Sequence, residues 1–484
     1  MEENIWLSIT YALLTLLLTY FVVIAFQCHS KNDSYTDYFL AKKQLGSGDN
    51  AVSYFARFTS LATVLTFFFI FTSIEGVYIV VAPITVFLGV LLFNKLVKGF
   101  RPIDSSCSSI VEHLYKYYKN SMLATITSYL LLLAILLVLL LEVYVGSRIL
   151  EAIFPLPKDG FFSIFIVGVV VFSYVAVGGL RSIVATDRVQ MFAIFSFVVA
   201  SIAILGVNVV DVNYSDLFPR SAVSLEPIVV ILPLALMLNI LIVNLFLFPS
   251  LYSTWQMRFA TADNDQFLSG NLKGATSVLL IWSIFIAIGL LMKVEFGKLP
   301  FSLGELATIM GGSESQLIQY IIAPLLIVAA ISALFSTADS GVIPIVQMIY
   351  DKKYKKEEFS YIKTGGIAAV LMVSIFVLYA VVFVVLEFDF VKAMFSVFGF
   401  SVILSPMILW SIVFPEDPYA EQRSGIFLFG ILLGLLGMGI MIVLGSINGD
   451  TGIVQLAPVI GFTLVGLVLL FSYLGQGSPR KALN

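Results

Sequence analysis

Apolar residues fall in blocks of about twenty along the whole chain, with short polar or basic stretches between them. Twenty residues at ~1.5 Å rise per residue is the length a helix needs to cross a ~30 Å hydrocarbon core. In lipid every backbone N–H and C=O must be satisfied within its own segment, so blocks of this length are helices. A membrane barrel would show short alternating segments, and none occurs here. Composition agrees: of 484 residues, 60% are hydrophobic and 12% charged, against roughly 25% charged in a soluble globular domain. The expected class is an all-α integral membrane protein.

Thirteen candidate spans can be drawn, at about 6–27, 48–72, 76–97, 121–147, 161–179, 187–207, 227–252, 272–293, 317–345, 364–387, 390–413, 425–445 and 453–474. Lys and Arg set the orientation, because cytoplasmic loops hold the excess of positive charge. With the N-terminus outside, the cytoplasmic connections carry 20 of the 27 basic residues and the outer ones 5, Arg57 and Lys392 falling within spans. The expected topology is therefore N-out and C-in, in a plasma membrane of the bacterial inner-membrane kind. The net charge of −3 decides nothing beside this distribution. By the same rule the basic stretch 350–363 reads as a cytoplasmic anchor at the lipid surface and not as a nucleic-acid patch. Met1-Glu2-Glu3-Asn4 lacks the basic start of a secretory signal, so the first block is expected to stay as a helix.

Missing chemistry narrows the function. Cys28, Cys107, His29 and His113 lie near block ends, without metal-ligand spacing or a disulfide framework. No Gly-rich phosphate loop, Ser/His/Asp arrangement or large soluble domain is present. These observations point away from an enzyme and from an ATP-driven pump.

Four strings carry a resemblance. Asp37-Tyr38-Phe39-Leu40-Ala41-Lys42-Lys43-Gln44-Leu45-Gly46 follows the first block. Gly178-Gly179-Leu180-Arg181-Ser182-Ile183-Val184-Ala185-Thr186-Asp187-Arg188-Val189-Gln190 joins two later ones. Trp255-Gln256-Met257-Arg258-Phe259-Ala260 is a third, and Ala333-Leu334-Phe335-Ser336-Thr337-Ala338-Asp339-Ser340, leading to Tyr350-Asp351-Lys352-Lys353, is the fourth. In order and spacing, over about residues 35–360, they resemble the sodium:solute symporter family, with Ala185 where tryptophan is usual. Members of that family carry proline, pantothenate, sugars, nucleosides, carboxylates, sialic acid, choline, urea or iodide.

The resemblance implies a leucine-transporter-type fold in a single transporter domain, with inverted five-helix repeats at 48–207 and 227–413. An extra helix and loop at 1–47 precede them, and two helices with a short tail follow at 424–484. It also implies sodium-coupled symport of a small polar organic solute by alternating access. The first helix of each repeat, 48–72 and 227–252, is then expected to be interrupted near the bilayer midplane. Asn239, Asn244 and Pro249 in the second offer interruption chemistry, since proline frees a backbone carbonyl.

Spacing adds its own argument. Ala333, Ser336, Thr337 and Ser340 stand at i, i+3, i+4 and i+7, on one helix face, with Asp339 beside it. Hydroxyls and a carboxylate on one face suit a hard cation, which prefers oxygen. The plainer alternative is that Ser and Thr line a helix contact or bond their own helix. Asp339 favours the cation, because an intramembrane carboxylate is expensive. The resemblance assigns one sodium ion to the carbonyls of Ala56, Thr59 and Ala333 and the hydroxyls of Ser336 and Thr337. It allows a second cation, or a proton, at Asp187, Ser336, Asp339 and Ser340. Asp187 taken alone is equally readable as a helix N-cap.

Departures matter as much. After the break the family has glycines, whereas this chain has Phe67-Phe68-Phe69-Ile70-Phe71 and no glycine until Gly76. Arg57 follows a sodium-ligating position directly. It either snorkels to the interface or pairs with Asp187 or Asp339 as a tethered cation, which would weaken sodium dependence or favour protons. Glu142 and Lys392 have no assigned role. From position alone, Ser60, Thr63, Asn239 and Asn244 are the pocket candidates for the solute. A proton-coupled or ion-independent carrier of the same fold, and a non-transporting membrane sensor, are the rival readings.

Overall fold

The computed structural model describes residues 5–65, 78–99, 107–154, 161–208, 227–296, 303–354, 356–385 and 399–476. The Phe67–71 run and Lys392 lie outside the described residues. In chain order the helices are α1 Ile5–His29, α2 Tyr35–Leu40, α3 Ser47–Phe58, α4 Leu61–Leu65, α5 Tyr78–Val97 and α6 Ile110–Tyr118. They continue as α7 Ser121–Ile153, α8 Phe161–Asn208, α9 Pro227–Ser250, α10 Tyr252–Ala260, α11 Asn264–Phe296 and α12 Leu303–Gly311. The chain closes with α13 Ala323–Lys353, α14 Tyr361–Tyr379, α15 Ser405–Val413, α16 Ala420–Asn448 and α17 Thr451–Gln476. Among the described residues, eight helices are long and apolar enough to cross a membrane, or nine if the bent pair α9–α10 is one span. The protein is a multi-span membrane protein.

The core is built around α13. Residues 323–350 are buried except at Leu325, Ser340 and Ile349, and α13 packs on α1, α3, α7, α8, α12 and α14. A helix that is apolar on every side belongs in such a central place. Small residues let the backbones close in. A Cβ added at Gly146 of α7 would come within 2.4 Å of Leu334, and one at Gly341 of α13 within 2.8 Å of Leu139. By contrast α14 leaves Val370, Val373 and Val377 exposed, a stripe at helical spacing suited to lipid.

Three breaks shape the site. The first helix of the chain's middle portion stops at Phe58: Thr59 has φ −104 and ψ 51, and its N–H still reaches the Phe55 and Ala56 carbonyls. Ser60 then starts α4, its Oγ accepting from the Thr63 N–H at 3.1 Å, as an N-cap does. The second break bends α9 and α10 by 43° at Leu251. There the carbonyl of Pro249 accepts from the Trp255 indole at 2.6 Å. The first expected span is interrupted at Thr59–Ser60, whereas the second runs unbroken over Pro227–Ser250 and bends only at Leu251, at the end of the expected span and not near its middle.

The third break divides α8 at Gly179, with φ 62 and ψ −161. Such φ/ψ is open to glycine alone at small cost. The sequence spacing leaves a loop between spans ending at 179 and starting at 187, but a single residue makes the turn and the helix resumes at 180. Tyr38 seals the junction: its hydroxyl donates to the Val175 and Ala176 carbonyls at 3.0 and 3.1 Å. Those are among the carbonyls that a helix end leaves without partners.

The four strings converge at one end of the bundle, where the basic residues collect. Tyr38 of the first string meets Gly179 of the second. The Gln256 amide of the third donates to the Phe39 carbonyl and to Gln347, and the Tyr35 hydroxyl donates to Asp351 at 2.6 Å. Leu45 and Thr261 form a parallel bridge, with Leu45 N–H on Ala260 O at 3.1 Å and Ala262 N–H on Leu45 O at 3.2 Å. Backbone bonds thus fasten the approach to α3 to the exit from α10. Lys356 pairs with Glu112 at 2.9 Å and Arg188 with Asp49 at 2.5 Å in the same region.

Candidate cation site

One carboxylate joins three helical segments. Asp187, in the second half of α8 and fully buried, accepts from the Ser53 hydroxyl of α3 at 2.5 Å and from the Ser336 hydroxyl of α13 at 3.2 Å. The N-cap alternative for Asp187 therefore fails: it lies two turns inside a helix and bonds across to its neighbours. Ser336 is likewise directed between helices and not onto its own backbone. Asp339, also fully buried, accepts from the Tyr174 hydroxyl in the first half of α8 at 2.7 Å, and the adjacent Ser340 hydroxyl lies at 3.4 Å. Both halves of α8 are thereby tied to α13.

Thr337 behaves differently. Its hydroxyl donates to the Ala333 carbonyl at 3.2 Å, the own-helix bond of the plainer reading. Ala56, Thr59 and Ala333 are fully buried, on α3, its break and α13, and α3 packs on α13. The Thr59 and Ser332 hydroxyls are buried without partners among the described residues. Buried polar atoms are rarely left so. Buried hydroxyls, helix-break carbonyls and two buried carboxylates on α3, α8 and α13 are oxygen groups of the kind a hard monovalent cation takes. Among the described residues no group of three His, Cys, Asp or Glu side chains could hold a metal ion.

Arg57 supplies the one guanidinium bearing on Asp187. It does not close an ion pair with Asp187: its Nε donates to the Ser53 carbonyl at 3.0 Å, while Nη1 and Nη2 are buried without partners among the described residues. Snorkelling to the interface is therefore not what this side chain does. Ser53 stands between the two charges, its carbonyl on Arg57 and its hydroxyl on Asp187.

The solute candidates divide. Ser60 and Thr63 meet, their hydroxyls 2.8 Å apart. Asn239 instead donates to the Gln455 carbonyl of α17 at 2.6 Å. Asn244 donates to Thr85 of α5 at 2.9 Å and to the Ala82 carbonyl at 3.2 Å. Their donors serve helix–helix contacts. Sequence reasoning missed Ser53 and Tyr174. Ser53 lies one turn before Arg57 on the same face and was findable by that spacing, whereas nothing local marks Tyr174.

The architecture matches solved transporters. A sodium-coupled sialic acid symporter in a substrate-bound, outward-open state superposes with a TM-score of 0.67 at 16% identity, over 95% of this chain and 96% of that one. A mutant manganese transporter from Eremococcus coleocola gives a TM-score of 0.56 at 14% identity, over 88% of this chain and 93% of that one. No protein-family model matches the sequence, and no curated protein matches it. At these identities the likeness is one of fold, the leucine-transporter-type fold that the four strings imply.

Proposed function

We propose that the chain is a secondary active transporter of the sodium:solute symporter kind. It moves a small polar organic solute with sodium by alternating access across a plasma membrane, N-terminus out and C-terminus in, its two inverted repeats being 48–207 and 227–413. The observation that carries this reading is the Asp187 carboxylate, which accepts from Ser53 on α3 and from Ser336 on α13. A cation held by the Ala56, Thr59 and Ala333 carbonyls and the Ser336 and Thr337 hydroxyls would join the same two helices. It would thereby favour the arrangement in which they lie together. Asp187, Asp339 and Ser340 provide for a second cation. Coupling follows as a differential affinity: sodium tightens solute binding, and solute tightens sodium binding by the same factor.

Thermal stabilisation by sodium, lithium, potassium and choline chlorides at equal ionic strength tests it. A site filled to ~100 Kd adds about 2.7 kcal/mol to the folded state. The expected result is a sodium-selective rise in melting temperature, abolished by Ser336→Ala combined with Thr337→Ala. Equal responses to all four salts would remove the sodium reading.

Proton coupling is the second reading, and Arg57 favours it. A tethered positive charge bearing on Asp187 does part of the work of a sodium ion and leaves Asp339, with its Tyr174 partner, as the carboxylate still to be neutralised. On this reading Arg57→Ser strengthens sodium activation several-fold. An unchanged sodium titration in Arg57→Ser would discard it.

A further inference from the structure

Arg57 and Tyr54 stand three residues apart on α3 and so share a face. Arg57 folds back along its own helix, its Nε on the Ser53 carbonyl at 3.0 Å. Tyr54 and Asp187 are the groups that bear on its charge. Arg57 Nη1, Arg57 Nη2 and the Tyr54 hydroxyl are all buried without partners among the described residues, and Tyr54 as a whole is 1% exposed. Asp187 does not answer them, since its two oxygens accept from Ser53 and Ser336.

The surroundings are apolar and hold these groups in place. The Tyr54 ring stacks on Phe58 at 4.6 Å, and the two rings lie 5.9 and 5.2 Å from Phe248 of α9. On α11, Gly274 makes room for Tyr54, where a Cβ would come within 2.6 Å of it. Trp282 of the same helix donates to the Phe58 carbonyl at 3.0 Å. Buried polar atoms are rarely left unanswered, and three on adjoining side chains are a stronger signal than one. Their chemistry is specific. The guanidinium nitrogens only donate, and the phenol is free to donate as well. Nη1 and Nη2 form the flat fork that takes both oxygens of a carboxylate at once.

We infer that Arg57 and Tyr54 form a carboxylate-binding site on the last turn of α3 and that the transported solute docks its carboxylate there. The apolar rings strengthen the charge-assisted bonds by keeping the local dielectric low. Ser60 and Thr63, beyond the break at Thr59, remain for the uncharged part of the solute. A carboxylate on Arg57 also offsets the positive charge that faces an incoming cation, so solute and sodium assist each other. The inference rests on the carrier reading above and adds to it the charge class of the cargo.

The test uses the purified full-length protein at constant sodium and ionic strength, with chloride exchanged for acetate, lactate or pyruvate. Acetamide and lactamide serve as uncharged counterparts. The expected result in the wild type is a saturable rise in melting temperature with the carboxylates and none with the amides. Arg57→Gln should weaken the carboxylate response at least about tenfold, and Tyr54→Phe, which keeps the stacked ring, about three- to tenfold. A merely structural Arg57 would lower the melting temperature in every salt alike and leave the carboxylate increment unchanged. That outcome overturns the inference, as does a wild type that responds to no carboxylate or responds equally to the amides. If Arg57→Gln cannot be purified, the wild type and Tyr54→Phe decide. Sodium titration in chloride separates the two claims. Loss of sodium selectivity with the carboxylate response intact sinks the coupling ion and leaves this site standing, and the reverse result sinks the site alone.

Discussion

Asp187→Asn should nearly erase the response of the protein to sodium while leaving it folded. The substitution keeps the shape and lets one of Ser53 and Ser336 keep an oxygen acceptor while the other turns its hydroxyl to accept from the new NH2, but it removes one negative charge from a buried oxygen cluster. At an effective dielectric of about 20, a unit charge 4 Å from a cation contributes about 4 kcal/mol. A ~100-fold loss of sodium affinity, equivalent to ~2.8 kcal/mol, is thus well within reach. A sodium concentration that stabilised the wild type by about 2.7 kcal/mol would then stabilise the variant by only about 0.4 kcal/mol. Two effects on basal stability oppose each other: Arg57 loses the carboxylate bearing on it, and Asp339 loses a like charge. Sodium titration of the melting temperature is the measurement. An unchanged titration in Asp187→Asn, with a collapsed one in Asp339→Asn, would move the cation to the Tyr174 side.

Gly179→Ala is expected to be strongly damaging, because it combines backbone strain with a backbone clash. Its φ of +62 is strained for any residue with a Cβ, at a cost of about 1–3 kcal/mol. The added Cβ would also stand 2.7 Å from the Tyr38 carbonyl oxygen and 2.9 Å from its ring. Backbone has to move there, and with it the tyrosine that caps the first half of α8. Gly439→Ala provides the contrast, since nothing lies within 4 Å of that position; in an exposed helix interior the change gains about 0.5–1 kcal/mol. Yields of monodisperse protein and melting temperatures of the two variants should move in opposite directions. Equal, small effects would show that the turn at 179 tolerates side chains.

The sequence made some of this legible and hid the rest for identifiable reasons. Apolar block length marks a membrane helix wherever the block is continuous, and Ser336, singled out by the serine and threonine spacing on α13, meets Asp187 of α8. A bend was readable where chemistry announces it, at Pro249, whereas the single-residue turn at Gly179 was read as a loop between two spans. The pairing of Ser53 with Asp187 spans 134 positions, and that of Tyr174 with Asp339 spans 165. No periodicity within one helix encodes contacts of that range. Asn239 and Asn244 looked like pocket groups because amides are rare in apolar helices, yet an amide can equally satisfy a neighbouring helix, and position in the chain does not distinguish the two. Glu142 was conspicuous as a charge in an apolar block, but its partners are backbone N–H groups 80 or 81 positions away. Backbone donors leave no trace in residue types.

The paired backbone bonds between Leu45 and the 260–262 segment carry a mechanical consequence. They belong to no side chain, so substitution cannot easily loosen them, and they bind the two interrupted helices at the same end. α3 and α10 are levers on a common axle: swinging one outward drags the other. On the carrier reading proposed above, that end would open with α3 and α10 moving together, since releasing one alone would break both bonds.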